Sequence, residues 1–341
     1  MEKLKNILEK GAKTEPFKRI FDSKISMGNC KLPEEMIDFV TSSFGSRNAV
    51  ETQEIISIKN KFLNTFSTFN KILPKPKNSD PDQEFESLKE KRFPPFDEKN
   101  IKTSTPSETF GRFENEFFVS ASNLQKISPF HAVFISKDFN PIQVKNGYFK
   151  GLFKIFLDWY ETNPKKEEKF PTIYRNVLWR AGSSIVHNHS QATLSDFIPD
   201  EAEKLMLAEK NHKNLFGVGY IESIKKVAET LGFGKYFGEV FIMANLTPKT
   251  EFETEFFAEN FNDEFADTIE KVYNRLVNFG MLSINIVIFP NFSKEIPPFA
   301  KIFFRGNLED TVSDFHSGVL AGIGSSSIDP VEMIEKILSH D

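Results

Sequence analysis

An internal repeat constrains the fold of this 341-residue chain more than any other sequence feature. The apolar segment 130–135 lines up with 237–242, and both have the pattern of strands. Apolar residues at helical spacing follow each segment, over 147–160 in the first copy and 263–279 in the second. Two further strand patterns come after each helix. Two copies of the order strand, helix, strand, strand predict two similar halves that pack together.

The clearest indication of chemistry is the run from His187 to Gln191, which reads His-Asn-His-Ser-Gln. In a strand, alternate residues point to the same face, so His187, His189 and Gln191 would lie side by side. Upstream, the small residues Gly182, Ser183 and Ser184 would let the backbone approach a ligand closely.

Three interpretations of this face are open from the residues alone. A neutral imidazole can attack phosphorus to form a covalent intermediate, and a neighbouring carboxamide can donate a hydrogen bond to a phosphate oxygen. The two histidines could instead lie on a half-buried strand, bonded only to backbone. A metal site is the third interpretation, and it would need further ligands.

Composition limits the partners. The net charge is −5 and no stretch is strongly basic, which argues against nucleic acid as the main partner. Cys30 is the single cysteine, so there is no internal disulfide framework and a reducing compartment fits. No apolar run approaches the length of a membrane span. We therefore expect a soluble, cytoplasmic protein that binds no membrane.

A known active-site motif reads Asn, then Ala-Gly-small-Ser, then His-x-His-x-Gln. The chain matches it at Asn176, Gly182, Ser184, His187, His189 and Gln191. In this run the chain resembles the galactose-1-phosphate uridylyltransferase family, a branch of the histidine-triad superfamily with ADP-glucose phosphorylases and dinucleoside tetraphosphate phosphorylases as relatives. The resemblance implies an α+β fold of two histidine-triad-like halves, each an antiparallel sheet with packed helices. Residues 1–205 would carry the catalytic motif, and 206–341 would form a similar repeat without catalytic histidines.

The resemblance also implies roles for single residues. His189 is similar to the nucleophile that accepts a nucleoside monophosphate, and Gln191 to the residue that holds the phosphate oxygens. His187 would support the loop and contact the phosphate. The expected nucleotide-binding residues are Asn115, Asn176, Gly182, Ser183, Ser184 and Arg305.

The chain departs from the family in two places. Where many members hold a structural zinc through a Cys-x-x-Cys pair and a histidine, this chain has Phe93, Phe96 and Phe139, which leaves only His187. We therefore expect no metal and no other cofactor. The family's glutamate that holds sugar hydroxyls corresponds to Leu320, which removes a sugar contact. His131 is interpreted as a structural or rim histidine.

The predicted function is nucleotidyl transfer through a covalent nucleotidyl-histidine, as in a hexose-1-phosphate uridylyltransferase of carbohydrate metabolism. One alternative is an ADP-glucose or dinucleoside tetraphosphate phosphorylase, and another is a non-catalytic nucleotide-binding relative. The implied partners are a nucleotide sugar or dinucleotide together with a sugar phosphate or phosphate. The resemblance also allows a homodimer.

Overall fold

The computed structural model describes residues 1–73, 79–291, 295–309 and 313–339. The strands in these ranges form two separate sheets. In chain order they are β1 (Phe21–Asn29), β2 (Thr52–Asn60), β3 (Thr65–Phe69), β4 (Phe118–Ser122), β5 (Phe130–Ser136), β6 (Phe170–Asn176), β7 (His189–Ser195), β8 (Gly234–Phe237), β9 (Val240–Ala244), β10 (Phe252–Phe257), β11 (Ile284–Phe289), β12 (Phe299–Phe304) and β13 (Ile323–Ser326).

Helices lie between and around these strands. The α-helices are α1 (Glu2–Gly11), α2 (Glu15–Ile20), α3 (Ile37–Phe44), α4 (Arg47–Glu51), α5 (Pro81–Leu88), α6 (Glu98–Ser104), α7 (Tyr148–Thr162), α8 (Asp200–Phe216), α9 (Tyr220–Leu231), α10 (Asp263–Asn278), α11 (Ser317–Leu320) and α12 (Pro330–Leu338). None of the helices in the described ranges is both long and apolar enough to cross a membrane.

The larger sheet is antiparallel throughout and has the strand order β4-β5-β7-β6-β11-β12-β10-β9-β8. Apart from β8, this order is symmetrical about the contact between β6 and β11. Each half also places one helix between its second and third strands, α7 in the first half and α10 in the second. The predicted α+β fold of two similar antiparallel halves is confirmed.

The symmetry corrects the alignment of the repeat. By position in the sheet, β5 corresponds to β10, whereas the segment 237–242 covers the end of β8 and the first part of β9. The alignment was therefore wrong by one strand. Both candidate strands belong to the same antiparallel pair and both are wholly buried, so their apolar patterns do not distinguish them.

The two faces of the larger sheet have different covers. Helices α7, α10 and α12 pack on one face and bury a core that runs through both halves. The apolar stripe predicted over 147–160 forms the inner side of α7, where Leu152 and Trp159 are fully buried. On the opposite face, α8 and α9 cover the second half. Over the first half, the segment 93–106 and the loop between β4 and β5 stand above the strands, and they leave a cavity.

The smaller sheet joins the two ends of the chain. Its order is β1-β2-β3-β13, and β13 runs parallel to β3 with Ile323 opposite Phe66. Residues near the C-terminus thus complete a sheet that the first seventy residues begin. The division into 1–205 and 206–341 stays a prediction.

Candidate active site

His189 is the first residue of β7, and its imidazole lines the cavity. Its Nδ1–H donates a hydrogen bond to the backbone carbonyl of His187 at 2.7 Å. A neutral ring held in this way keeps its lone pair on Nε2, for which the described residues offer no hydrogen-bond partner. Burial lowers the pKa of His189 to about 4, and the nearby charge of Arg175 contributes in the same direction. The ring is therefore neutral at pH 7 and able to act as a nucleophile.

The cavity in front of His189 has a volume of about 520 Å³, which is in the usual range for small-molecule sites. The apolar residues in its lining are Phe93, Pro95, Phe96, Pro106, Ala121, Leu124, Ile127, Val133 and Ile185. The polar side chains are Asn123, His131, Tyr174, Asn176, Ser184, His189 and Gln191, together with Ser104, Thr105, Ser122 and Gln125. No lysine or arginine is among the described residues that line it. Neutral donors would therefore have to bind any anionic group placed there.

Gln191 lies beside His189 in the cavity, two residues further along β7. Its Oε1 accepts hydrogen bonds from His131 Nε2 at 2.8 Å and from Asn123 Nδ2 at 3.1 Å. Tyr174, directly opposite Gln191 on β6, has its hydroxyl 2.8 Å from the same His131 nitrogen. The interpretation of His131 as a structural or rim residue needs correction, because it contacts a predicted catalytic residue.

His187 is fully buried behind the cavity, in a cluster of phenylalanine rings. The rings of Phe96 and Phe139 lie 5.8 and 5.6 Å from its imidazole, and Phe93 packs on Phe96 at 5.3 Å. Its Nε2–H donates to the backbone carbonyl of Ser136 at 2.8 Å, and its Nδ1 is buried without a partner among the described residues. His187 therefore supports the strand and lies outside the cavity lining, so it does not share the face of His189 and Gln191 as the alternation predicted, because β7 begins only at His189.

These surroundings do not fit a metal ion. The three positions where the resemblance would place zinc ligands carry phenylalanine, two with rings against His187 and the third with its ring on Phe96, and phenyl rings cannot coordinate zinc. Within the described part of the chain, no group of three or more His, Cys, Asp or Glu side chains could hold a metal. The expectation of a site that works without metal stays a prediction.

The loop of small residues before β7 has an unusual backbone. Gly182 has φ of +86°, and the buried Leu178 has φ of +65°, a conformation that L residues rarely adopt. Ser183 Oγ donates to the carbonyl of Ile185 at 2.7 Å, while Ser184 lines the cavity. Of the three small residues, only Ser184 has a side chain at the site.

Asn176, at the end of β6, lines the cavity and is oriented from the second half. Its Oδ1 accepts a hydrogen bond of 2.7 Å from Asn285 Nδ2. The Asn285 Oδ1 in turn accepts one of 2.6 Å from Arg305, whose Nε donates to Asp314 at 2.6 Å. Arg305 was expected to bind nucleotide, but it lies outside the cavity lining and reaches Asn176 only through Asn285.

Asn115 also lies outside the cavity lining. Its Oδ1 accepts from the backbone N–H groups of Phe117 and Phe118 at 3.0 and 2.9 Å, and its Nδ2 donates to the Gly151 carbonyl at 2.7 Å. The side chain thus closes a turn before β4 and ties it to α7. Nothing in this geometry directs it toward a nucleotide.

A buried arginine supports the start of β7 from the face opposite the cavity. Arg175 donates from Nη1 to the Tyr148 hydroxyl at 2.5 Å and to the Asn188 side-chain oxygen, and from Nη2 to the Pro141 carbonyl at 2.7 Å. Tyr148 also donates to Asn188 at 2.8 Å. These hydrogen bonds therefore fix the side chain of Asn188, the residue between the two histidines, on the face opposite the cavity.

No family model matches the sequence. No curated protein matches it either.

Solved structures do match the fold. An ADP-glucose phosphorylase from Arabidopsis thaliana, solved with bound ADP-glucose, is 14% identical over 83% of this chain and 98% of its own, with a TM-score of 0.59. A uridylyltransferase is 12% identical over 82% and 96%, with a TM-score of 0.57. A galactose-1-phosphate-uridylyltransferase-like protein from Arabidopsis thaliana is 15% identical over 72% and 92%, with a TM-score of 0.55. At such identities these likenesses establish the architecture, and the chain has the fold of the galactose-1-phosphate uridylyltransferase-like proteins.

Proposed function

We propose that this protein transfers a nucleotidyl group through a covalent intermediate on His189. The preferred donor is a nucleoside diphosphate sugar, and the enzyme works in the manner of a hexose-1-phosphate uridylyltransferase. The observation that carries the proposal is the His189 ring, held with Nδ1–H on the His187 carbonyl and with Nε2 toward the cavity, beside Gln191. A histidine that served only as a buried structural residue would not need both features.

In the first step, the Nε2 lone pair of His189 attacks the phosphorus next to the nucleoside. The Nε2–P bond forms as the bond from phosphorus to the bridging oxygen breaks, and the electron pair leaves with the sugar phosphate. The Nδ1–H of His189 remains hydrogen-bonded to the His187 carbonyl, and this bond stabilises the positive charge that develops on the ring. The Gln191 amide and the Ser184 hydroxyl would donate to the non-bridging phosphate oxygens, whose charge increases in the transition state.

In the second step, an oxygen of the acceptor phosphate attacks the same phosphorus from the position that the first product has left. The P–Nε2 bond breaks, and the electron pair returns to the neutral ring. A sugar phosphate as acceptor gives a new nucleotide sugar, whereas inorganic phosphate gives a nucleoside diphosphate. Apolar residues of the lining, such as Phe96 and Ile185, suit the flat face of a base in either case.

The second candidate function is that of a phosphorylase. Leu320, the counterpart of the family's sugar-binding glutamate, is 73% exposed and lies outside the cavity lining. An apolar side chain cannot hold sugar hydroxyls, so inorganic phosphate becomes a reasonable acceptor. The similarity in fold to an ADP-glucose phosphorylase is consistent with this candidate.

Labelled donors test both candidates. The purified protein would be incubated with UDP-glucose, ADP-glucose or diadenosine tetraphosphate, each with radioactive phosphorus next to the nucleoside. We expect label on the protein that is lost in acid and retained in alkali, as for a phosphorus–nitrogen bond. Release of the label by a hexose 1-phosphate other than the one that left in the first step identifies a transferase, and release by inorganic phosphate but not by that second hexose 1-phosphate identifies a phosphorylase.

Two variants provide the controls. His189→Asn should take up no label, whereas His212→Asn, which changes a buried histidine on α8 outside the cavity lining, should label normally. Absence of label from every donor, with folded wild-type protein, would contradict the proposal and favour a non-catalytic nucleotide-binding protein. Stoichiometric zinc in the purified protein would overturn the metal-free site.

A further inference from the structure

The cavity contains a group of four hydrogen-bonded side chains that the proposed reaction does not yet explain. Asn123, His131, Tyr174 and Gln191 all line the cavity, and they come from β5, β6, β7 and the loop after β4. His131 lies at the centre, with its Nε2 within 3.2 Å of a polar atom of each of the other three. We call these residues the His131 cluster.

The backbone of the β4–β5 loop fixes the tautomer of His131. Its Nδ1 accepts a hydrogen bond from the Ile127 N–H at 3.3 Å, so the proton of the neutral ring must be on Nε2. Burial lowers the pKa of His131, which keeps the ring neutral at pH 7. His131 Nε2–H is therefore a donor, and Gln191 Oε1 at 2.8 Å is its acceptor.

The same loop fixes the Asn123 amide. Its Oδ1 accepts a hydrogen bond from the Gln125 N–H at 2.8 Å, so its Nδ2 must face the cluster. From there Nδ2 donates to Gln191 Oε1 at 3.1 Å. Two backbone N–H groups thus determine the direction of every amide and imidazole in the His131 cluster.

These directions leave two donors for the cavity. Gln191 Oε1 already accepts from His131 and Asn123, so its Nε2 points away from them, and the described residues offer that nitrogen no acceptor. The Tyr174 hydroxyl lies 2.8 Å from the protonated Nε2 of His131, so it can only be a second acceptor of the proton that His131 shares with Gln191. Its own proton is then free to be donated into the cavity. Burial raises the pKa of Tyr174, so this proton is present at all physiological pH values.

We infer that His131 is a positioning residue that holds the Gln191 amide and the Tyr174 hydroxyl as a pair of donors for the phosphate oxygens of a bound nucleotide. Tyr174 is then a further catalytic residue, since it touches the substrate directly. This inference rests on the proposed nucleotidyl transfer. It also accounts for how a cavity without lysine or arginine in its described lining could bind an anionic group.

A double-mutant cycle tests the positioning role. Gln191→Met should slow labelling of His189 about 100- to 1,000-fold, the range for loss of one donor to a developing oxyanion. His131→Phe, which removes the positioning donor together with the acceptor of the Ile127 N–H, should slow it about tenfold or more, mainly in kcat, because the oriented donor acts most strongly in the transition state. In a background that carries both Gln191→Met and Tyr174→Phe, His131→Phe should change the rate by less than about twofold, since both of its targets are gone.

Additive losses in this cycle would overturn the inference, because they would mean that His131 acts independently of Gln191 and Tyr174. His131→Gln restores an N–H donor and should recover most of the rate, which a defect in packing would not permit. Tyr174→Phe should slow labelling about fivefold to tenfold, the value of one neutral hydrogen bond, and an unchanged rate would remove Tyr174 from the site. His212→Phe is the matched control for the loss of a buried histidine.

Nuclear magnetic resonance separates this inference from the proposed function. With ¹⁵N-labelled histidine, the His131 signal, assigned by its loss in His131→Gln, should show a pyrrole-type Nε2 and a pyridine-type Nδ1. The reverse pattern would overturn the inference even if the enzyme is active. If the expected pattern is found but no donor labels the protein, the proposed function fails while the geometry of the cluster stands.

Discussion

The two halves of the larger sheet use equivalent positions in opposite ways. Pairing across the central strands places six residues in one row on one face, in the order Val133, Gln191, Tyr174, Val287, Lys301 and Glu255. The row is symmetrical about the contact between Tyr174 and Val287, so Gln191 corresponds to Lys301. The same symmetry relates the residues that lie two positions earlier on these strands. His189 on β7 corresponds to Phe299 on β12, and His131 on β5 corresponds to Glu253 on β10.

In the second half, a charged residue, Lys301, occupies the position that corresponds to Gln191. Lys301 is buried and makes ion pairs of 2.9, 3.0 and 2.9 Å with Glu201, Glu253 and Glu255. Burial alone would lower the pKa of Lys301, but the carboxylates outweigh it and raise the pKa well above its usual range. Asn245, the counterpart of Asn123, donates to Glu255 at 3.1 Å. A space of only about 20 Å³ remains, against about 520 Å³ in the first half.

The comparison shows which part of the site depends on the fold and which on side chains. The same strand geometry supports a cavity lined by neutral donors in one half and a closed ion cluster in the other. Phe299 at the position of His189 removes the nucleophile, and α8 supplies Glu201 to close the space. The fold therefore provides an orientation for side chains, and the side chains decide whether a substrate can enter.

The largest expected effect is on stability, from Lys301→Met. Removal of the cation that contacts all three carboxylates leaves buried charge uncompensated, which costs about 3–5 kcal/mol of the free energy of unfolding. Urea denaturation followed by circular dichroism measures it. The symmetry-related Gln191→Met should cost less than about 1.5 kcal/mol, because it replaces a neutral side chain by one of similar volume. Equal losses at the two positions would break the comparison.

The second prediction concerns the labelling rate of the same two variants, for which the order of the effects should be reversed. Gln191→Met should raise the barrier to labelling by about 2.7–4 kcal/mol, as for loss of an oxyanion-hole donor. Lys301→Met, assayed at a temperature where it is folded, should label at a rate near that of wild type. A large catalytic defect in Lys301→Met would show that the second half contributes to the reaction through more than stability.

The third prediction concerns pH. An unperturbed histidine loses its nucleophilic form below about pH 6.5, whereas burial keeps His189 neutral to about pH 4. The labelling rate should therefore stay constant from about pH 8 to about pH 5.5, which rapid-quench assays can follow. Over the same range stability should fall as pH decreases, because the unfolded state binds protons that the buried His189 does not. A rate that halves near pH 6.5 would contradict the assigned environment.

The smallest effect on labelling is expected when residues of the first half are introduced at the equivalent positions of the second half. Phe299→His combined with Lys301→Gln restores the key residue types of the first half in the second. In a His189→Asn background this variant should take up no label, because α8 still closes the space over β12. Label on the side chain introduced in place of Phe299, detected by peptide mapping, would show that side-chain identity alone decides the function.

Local patterns in the sequence were sufficient for several conclusions. The helical stripe over 147–160 predicted α7, and alternation in the His-x-His-x-Gln run predicted that His189 and Gln191 share a face. The placement of Phe96 and Phe139 beside His187 also follows from the motif comparison. Each of these depends on residues close in sequence or on a motif with fixed spacing, so a one-dimensional pattern contains the information. The homodimer and the cytoplasmic location stay predictions.

The tertiary structure decided the rest. His131 and Gln191 are 60 residues apart, and only the order of β5 and β7 brings them together. Asn285 reaches Asn176 because β11 pairs with β6 across the boundary between the halves. Lys301 has no motif around it, and its role follows from three carboxylates on other elements. Strand order and register determine such contacts, and the alternation of apolar and polar residues along one strand does not specify its neighbour.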